Sequence, residues 1–589
     1  MAGPEPINQS SVLLAWSKLV PVSEGQDPLG LNLRVSARLS GQLLHCITSI
    51  TPRARYFSFF PWCVADFNRR EKTQNPNASL RDAIRLREKA LTLGCVLHHD
   101  GQACDGGSLV GSKQAIAWLE KHPGETPKFS KLQFTKNPAL DAYFNSLVHL
   151  GCFVTDEEQP EEIETEEVPL FVLGDLELRP LGQQMAEAYE AAVGNLAVVT
   201  RLPKQPNACS PQQLKRWGEV GGLCELAQPA SPDRELLRNV FFNHTGSPGE
   251  SHRFRHNSLV LLLELVRQLA SEGVVLDGDT FNDAVYFGKV FRGDGAPLLE
   301  IKLPPQLADI ANRWRMFYFH FYLSVALESL FVSVVSKARS AGLKGFRLEA
   351  LVETLGSKSV TKYLESRISM KMPKRFLDST PRELFKLAGV DVPAPDSSGS
   401  AELDRSVDWL HPFSEPSLAV VFDETSRETP EGIASALMLV IVTATRFGRW
   451  ETTGHGSWLA QAVRDSYKDV TVPVVLRELH ERFSDYWNAS WREIATFVMR
   501  RFVVRQHEVL AYDKNWDGSK AFFHTENDLI RWRQLNYDEI GIGNARFSRA
   551  LQILRDLALI DRSDGEKQLV LTKDGNQWLK RELAALAQK

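Results

Sequence analysis

What this chain lacks first is a basic excess. Its 69 Lys and Arg face 73 Asp and Glu, a formal net charge of −4, so no global positive field exists to hold a phosphate backbone. Any nucleic-acid contact has to be local. Cysteine is scarce as well: seven in 589 residues, all within the first 224, at Cys46, Cys63, Cys95, Cys104, Cys152, Cys209 and Cys224. An odd count without regular spacing argues against a disulfide framework and predicts reduced thiols in a cytoplasmic setting. The opening MAGPEPINQSS has neither the basic nor the apolar region of a secretory signal. No G-x-S-x-G elbow, H-E-x-x-H helix or dinucleotide fingerprint occurs, and GSLVGSK (Gly107 to Lys113) lacks the spacing of a phosphate loop. No cofactor is therefore expected. Long apolar runs are few. Met316 to Val335 approaches the roughly 20 residues of a spanning helix, but it carries His320 and Glu328, both costly in lipid. IASALMLVIVTA from Ile433 is too short to span. Both read as buried core helices, and no membrane partner is expected.

What is present is the composition of a folded protein, 43% hydrophobic and 24% charged. A chain of this length predicts roughly three to five domains. The expected fold class is mainly α and multidomain. Residues 1–125 read as an N-terminal helical domain in which Arg53 and Arg55 precede the aromatics Tyr56, Phe57, Phe59, Phe60 and Trp62. Such a run could stack bases, but its apolar period favours a core helix. Ser79 to His98 reads as an amphipathic helix with a start signal at Ser79. A winged-helix-like unit is placed at 126–195, a helical middle domain at 196–390, a flexible linker (DVPAPDSSGSAE) at 391–405, a further helical domain at 406–499 and a second winged unit at 500–589.

Two segments share one grammar. In the later one the helix FSRALQILRDLALI is followed by DRSDG, the strand QLVLT and a closing helix from Lys573. In the earlier one LDAYFNSLVHLGCFV leads through an acidic loop to DLELRP and a helix from Leu181. Leu176, Leu178 and Gly182 fall on Leu569, Leu571 and Gly575. Both resemble winged helices, a fold that binds nucleic acid or protein. The C-terminal copy offers Asn544, Arg546, Ser548 and Arg549 at the start of its groove-reading helix, and Arg562 and Lys567 flank the Asp564-Gly565 turn of its wing. From Arg500 to Lys589 there are 16 Lys and Arg against 13 Asp and Glu. The earlier copy carries eight acids between Asp156 and Glu167, which would repel phosphate, so a protein partner suits it better.

Two further groups carry candidate chemistry. His320, Ser324 and Glu328 stand at i, i+4 and i+8 and share one helical face. Arg315 to His320 also resembles the R-x4-H spacing of HEPN-type ribonucleases, with Met316 where that family usually has a polar residue. Arg315, His320 and Glu328 are thus the catalytic candidates. Cys95, His98 and Cys104, beside His99, Asp100 and Asp105, place possible metal ligands within a few residues, although no C-x2-C pair completes a zinc set.

The motifs LGLNLRVS, RYFSFFPW, GSLVGSK, ALESLF and RQHEVLAYDK together resemble those of large bacterial proteins associated with mobile-element and phage-defence loci. That resemblance names no activity; taken with the winged units, the expectation is a non-enzymatic, nucleic-acid-contacting subunit of a bacterial antiviral-defence or DNA-handling assembly, with DNA met through the C-terminal unit and other protein subunits as partners. A helical effector ribonuclease and a protein-binding structural adaptor are the alternatives.

Overall fold

The computed structural model describes residues 27–588 except 104–108, 135–138, 155–175, 292–296, 391–406, 409–410, 425–426, 462–468, 515–520, 534–544 and 564–567. It is mainly helical. Among the described residues the strands are short and pair antiparallel, two by two. The helices that position the candidate sites are α1 (Tyr56–Phe67), α2 (Leu80–His98), α3 (Ala139–His149), α4 (Pro180–Val193), α5 (Pro211–Gly221), α6 (Glu250–Ser271), α7 (Ala308–Ala341), α8 (Pro430–Gly448), α9 (Ala545–Asp556) and α10 (Lys573–Ala587).

Two compact units interleave along the chain. One is drawn from Met1–Arg34, His320–Thr453 and Val463–Ile542, the other from Val35–Phe319, Gly454–Ala462 and Gly543–Lys589. The sequence laid its domains out in linear order, with a last one at 500–589. One boundary between the two units falls within that stretch, after Ile542. Within the first unit, the hairpin Phe523–Glu526 with Leu529–Trp532 is tied to Phe346, whose N–H donates to Ile530 O at 3.1 Å while Ile530 N–H donates back at 2.8 Å.

Helix α1 forms around its aromatics. Tyr56, Phe57, Phe59 and Phe60 are fully buried, and Trp62 nearly so, in ring contacts with Tyr143 of α3, Tyr189 of α4 and Trp217 of α5. Apolar area of this size is the main favourable term in such a core. The stacking platform that the aromatic run allowed is therefore spent internally. Arg53 and Arg55 are buried with it.

Helix α2 starts where Ser79 accepts a hydrogen bond from Asp82 N–H at 3.2 Å, a side-chain cap that satisfies one orphan donor of the first turn. It packs on α5 more extensively than any other described helix pair. Glycines permit the approach: a Cβ on Gly218 would stand 2.0 Å from Gly94 O, and one on Gly94 would stand 2.5 Å from Leu214 O.

The two segments of shared grammar have the same local architecture. Helix α3, β1 (Phe153–Val154), β2 (Glu177–Leu178) and α4 form the first, with Phe153 paired to Leu178. Helix α9, β7 (Ile560–Arg562), β8 (Leu569–Leu571) and α10 form the second, with Ile560 paired to Leu571. Two strand pairs lie outside the repeat: β3 (Lys289–Phe291) with β4 (Pro297–Glu300), and β5 (Phe523–Glu526) with β6 (Leu529–Trp532). Both first helices end alike. Cys152 N–H donates to Leu147 O at 2.9 Å and Gly151 N–H to Val148 O at 2.8 Å; Leu559 N–H donates to Leu554 O at 3.0 Å and Ala558 N–H to Arg555 O at 2.8 Å. This is the paired C-terminal cap that turns one residue left-handed. That residue is Gly151 at φ 76° in one copy and Ala558 at φ 56° in the other. An alanine there is strained by its Cβ, so Ala558→Gly is expected to raise stability by about 0.5–1 kcal/mol after glycine's larger unfolded-state entropy is counted. An unchanged or lower urea midpoint would contradict this.

Two helical stretches are long and apolar enough to cross a membrane by length and composition, Pro305–Lys344 and Pro430–Gly448. Their apolar windows are 83% and 89% buried inside the protein, as core helices are. Among the described residues no cysteine is in a disulfide.

Candidate functional site

Asn544, Lys567, the Asp564-Gly565 turn and Cys104 lie outside the described residues, as do the acidic block and the linker. The rest of the expected nucleic-acid face is placed within the second unit. Arg546 Nη1 donates to Ile47 O at 3.3 Å, and Arg549 Nε donates to Ser49 O at 2.9 Å. Both are half-buried, whereas Ser548 and Arg562 are exposed. At its other end α9 carries Asp556, whose Oδ2 accepts from Arg53 Nε and from Ala54 N–H, each at 2.9 Å. Phe547, Ala550, Ile553 and Leu554 are buried beneath. The helix that would read a groove is thus held along its length by residues 47–54 of its own chain.

The polar stripe of α7 is a buried seam. His320, Ser324 and Glu328 are wholly buried. His320 Nε2 lies 2.9 Å from Leu31 O, and Ser324 Oγ donates to His320 O at 2.8 Å. Burial lowers His320 to about 4 against the opposing effect of its hydrogen bond to Leu31 O, so the ring is neutral at pH 7 and donates to that carbonyl. Arg315, assigned to the other unit, is half-buried with its Nε on Val285 O at 3.1 Å. The two residues that the ribonuclease spacing pairs are each spent on a backbone carbonyl.

A cavity of about 540 Å³ lies against one face of α2, lined by Arg85, Glu88, Lys89 and Thr92 of that helix and by Gln114 and Phe134. Three of its polar side chains are engaged in its walls. Ala139 N–H donates to Glu88 Oε1 at 2.8 Å, Lys89 Nζ to Phe129 O at 3.3 Å and Thr92 Oγ1 to Val110 O at 3.2 Å. Burial, more than the neighbouring charge of Asp141, pushes Glu88 up to about 7 although the Ala139 bond opposes it. An acid whose folded value exceeds its unfolded one binds more protons when folded. Its ionisation therefore removes stability as pH rises from about 4.5 to about 7. Glu88→Gln, which keeps the acceptor for Ala139, is expected to leave stability unchanged at pH 4 and to raise it at pH 8 by on the order of 3 kcal/mol. Thermal unfolding at the two pH values checks this, and equal shifts at both would refute it.

The third locus sits where α2 ends. The Gly94–Gly218 crossing brings its last turn beside the short helical turn Leu223–Ala227 that follows α5. His98 Nε2 lies 3.0 Å from Glu225 Oε1, and His99 Nε2 lies 3.1 Å from Cys224 Sγ. The facing atoms of His98, His99 and Glu225 are all within 4.8 Å of one another. All four residues are partly exposed. The turn is held from behind, where Arg53 Nη2 donates to Leu223 O at 2.9 Å and Arg55 Nη1 to Gly222 O at 2.8 Å, while Lys215 Nζ and Asp100 form an exposed pair at 2.8 Å.

Of the possible ligands read from sequence, His98 and His99 are placed in this group. Cys95 is fully buried at the helix crossing, where a Cβ on Gly222 would stand 3.3 Å from its Sγ. Cys224 and Glu225 were missed because 125 and 127 residues separate them from their histidine partners. No local spacing carries that information; only the glycine-permitted crossing creates it. Against this geometry, no protein-family model, curated protein or solved structure matches the chain.

Proposed function

We propose that this chain is a non-enzymatic structural adaptor whose two α–β–β–α units, built on winged-helix grammar, serve packing and protein contact rather than groove reading. One observation carries the reading: Arg546, Arg549 and Asp556 of α9 are engaged by Ile47, Ser49, Arg53 and Ala54 of the same unit. A helix that inserts in a major groove needs its polar first turn available to bases and phosphates. The burial of His320 and Glu328 supports a non-enzymatic role, since a general acid or base must reach its substrate. The setting implied by the whole-chain resemblance is a bacterial defence or DNA-handling assembly, in which a partner subunit would meet the nucleic acid.

A DNA-contacting role stays as the second reading, favoured by the exposure of Ser548 and Arg562. The double variant Arg546→Ala and Arg549→Ala separates the two. The adaptor reading expects a lower melting temperature and no salt-steep binding of a labelled duplex by either protein. Duplex binding that falls steeply with salt in the parent, and is lost in a variant that melts as the parent does, would establish the DNA role instead.

A further inference from the structure

We propose that His98, His99, Cys224 and Glu225 form a binding site for a zinc-class divalent metal ion. The residues are two adjacent pairs set face to face: His98 opposite Glu225 at 3.0 Å and His99 opposite Cys224 at 3.1 Å. Two imidazoles, a thiolate and a carboxylate are the borderline-soft donors that suit Zn²⁺, and they disfavour Ca²⁺ or Mg²⁺, which demand oxygen. Metal–nitrogen bonds of about 2.0–2.1 Å and a metal–sulfur bond of about 2.3 Å place tetrahedral ligands about 3.3 Å apart, or about 3.6 Å for nitrogen to sulfur. Each facing contact needs to open by only a few tenths of an ångström; His98, His99 and Glu225 already lie within 4.8 Å of one another, whereas the Cys224 thiolate is farther than that from at least one of them and swings in beside His99 to complete the set.

What holds the donors is independent of any ion. Helix α2 and helix α5 cross with glycine against glycine, a backbone approach too close for any Cβ, which sets the two histidines beside the turn after α5. The turn that bears Cys224 and Glu225 is pinned through the carbonyls of Leu223 and Gly222 by the buried guanidiniums of Arg53 and Arg55. Ligands fixed by surrounding contacts lose little entropy on metal binding. Their partial exposure leaves a route for the ion to enter.

A second cluster, His244, His256 and Glu582, meets the same distance test but is a weaker candidate. Glu582 Oε2 already accepts from both histidines, at 3.1 and 3.0 Å, while its Oε1 accepts from Arg581 at 3.0 Å. The guanidinium supplies the positive charge an ion would bring and repels a second one. That cluster serves as the control.

The experiment uses the full chain, stripped with chelator, kept reduced and titrated with Co²⁺. The parent is expected to develop a thiolate-to-cobalt charge-transfer band that saturates at one ion per chain and disappears when Zn²⁺ is added. Cys224→Ser is expected to abolish that band, and His99→Ala to weaken uptake by more than about tenfold. His244→Ala is expected to change neither. Far-UV circular dichroism that matches the parent confirms that each variant is folded. Absence of the band in the parent overturns the proposal and leaves the facing pairs as hydrogen bonds only. A band that survives Cys224→Ser, or that is lost in His244→Ala, overturns it equally. None of these outcomes bears on whether α9 binds DNA, so the adaptor reading stands or falls separately.

Discussion

Replacing Asp233 with alanine is expected to lower the stability of the second unit by about 3–5 kcal/mol, the usual effect of removing one partner from a buried ion pair. Asp233 and Arg55 are both fully buried. The carboxylate accepts from Arg55 Nε and Nη2 at 3.1 Å each, from Ser58 Oγ at 2.6 Å and from Ser231 Oγ at 2.9 Å. Without it the guanidinium keeps one carbonyl, Gly222 O, and the face of Tyr189 at 5.3 Å. A charge in that state is largely unscreened. Equilibrium urea unfolding measures the loss, with the paired replacement Arg55→Met and Asp233→Leu as the comparison. The paired variant is expected to recover much of the stability, since apolar groups of similar volume often replace a buried pair without penalty. A single-variant loss below about 1 kcal/mol would mean that water reaches the site.

Gly575→Ala should destabilise by about 3 kcal/mol or more, at or above the usual range for overpacking. A Cβ there would stand 1.8 Å from Leu559 O, a backbone atom that also accepts from Thr572 N–H at 3.1 Å. No side-chain rotation can relieve the contact. Either α10 moves away from the strand pair or the hydrogen bond at its start is given up. Gly182→Ala is the parallel case, with its Cβ 2.2 Å from Cys152 O, which accepts from Arg179 N–H at 2.9 Å. Gly278, also in a helical first turn but with nothing within 4 Å of a Cβ, is the control and should tolerate alanine with a change below about 0.5 kcal/mol. Thermal melts of the three variants decide it. A Gly575→Ala protein that melts with the control would show that the junction is not tightly packed.

That pair of glycines marks what the sequence made legible. Leu178 and Leu571 each sit opposite the first strand residue of their unit, Phe153 and Ile560, as the alignment of the two segments expected. Local grammar of helix, turn and strand is written in residues a few positions apart, so it survives reading in one dimension. The role of α9 is not written that way. Its basic first turn looks available until Ile47 and Ser49 are seen to accept from it across about 500 residues of sequence. The aromatic run after Arg53 was legible as core from its period, yet the reason two arginines go with it, Asp556 and Asp233, lies far along the chain. The possible metal ligands divide in the same way: His98 and His99 stand together both in sequence and in the fold. Cys95 is close to His98 in sequence but is spent on the helix crossing, while Cys224 arrives from another helix altogether.

The interleaving of the two units has a consequence for the order in which the protein is made. Arg53 leaves the ribosome 503 residues before Asp556, a delay on the order of 25–100 s at about 5–20 residues per second. During that interval its guanidinium, Ala54 N–H and the apolar bed that receives α9 have no partner from the C-terminal stretch. The second unit therefore cannot close vectorially, and its first 285 residues, Val35–Phe319, wait for the last 47, Gly543–Lys589. Contacts so distant in sequence form slowly. A nascent chain of this design is a natural client for a holdase, and a translational stop anywhere before α9 leaves the amino-terminal half, not only the carboxy-terminal end, without its native packing.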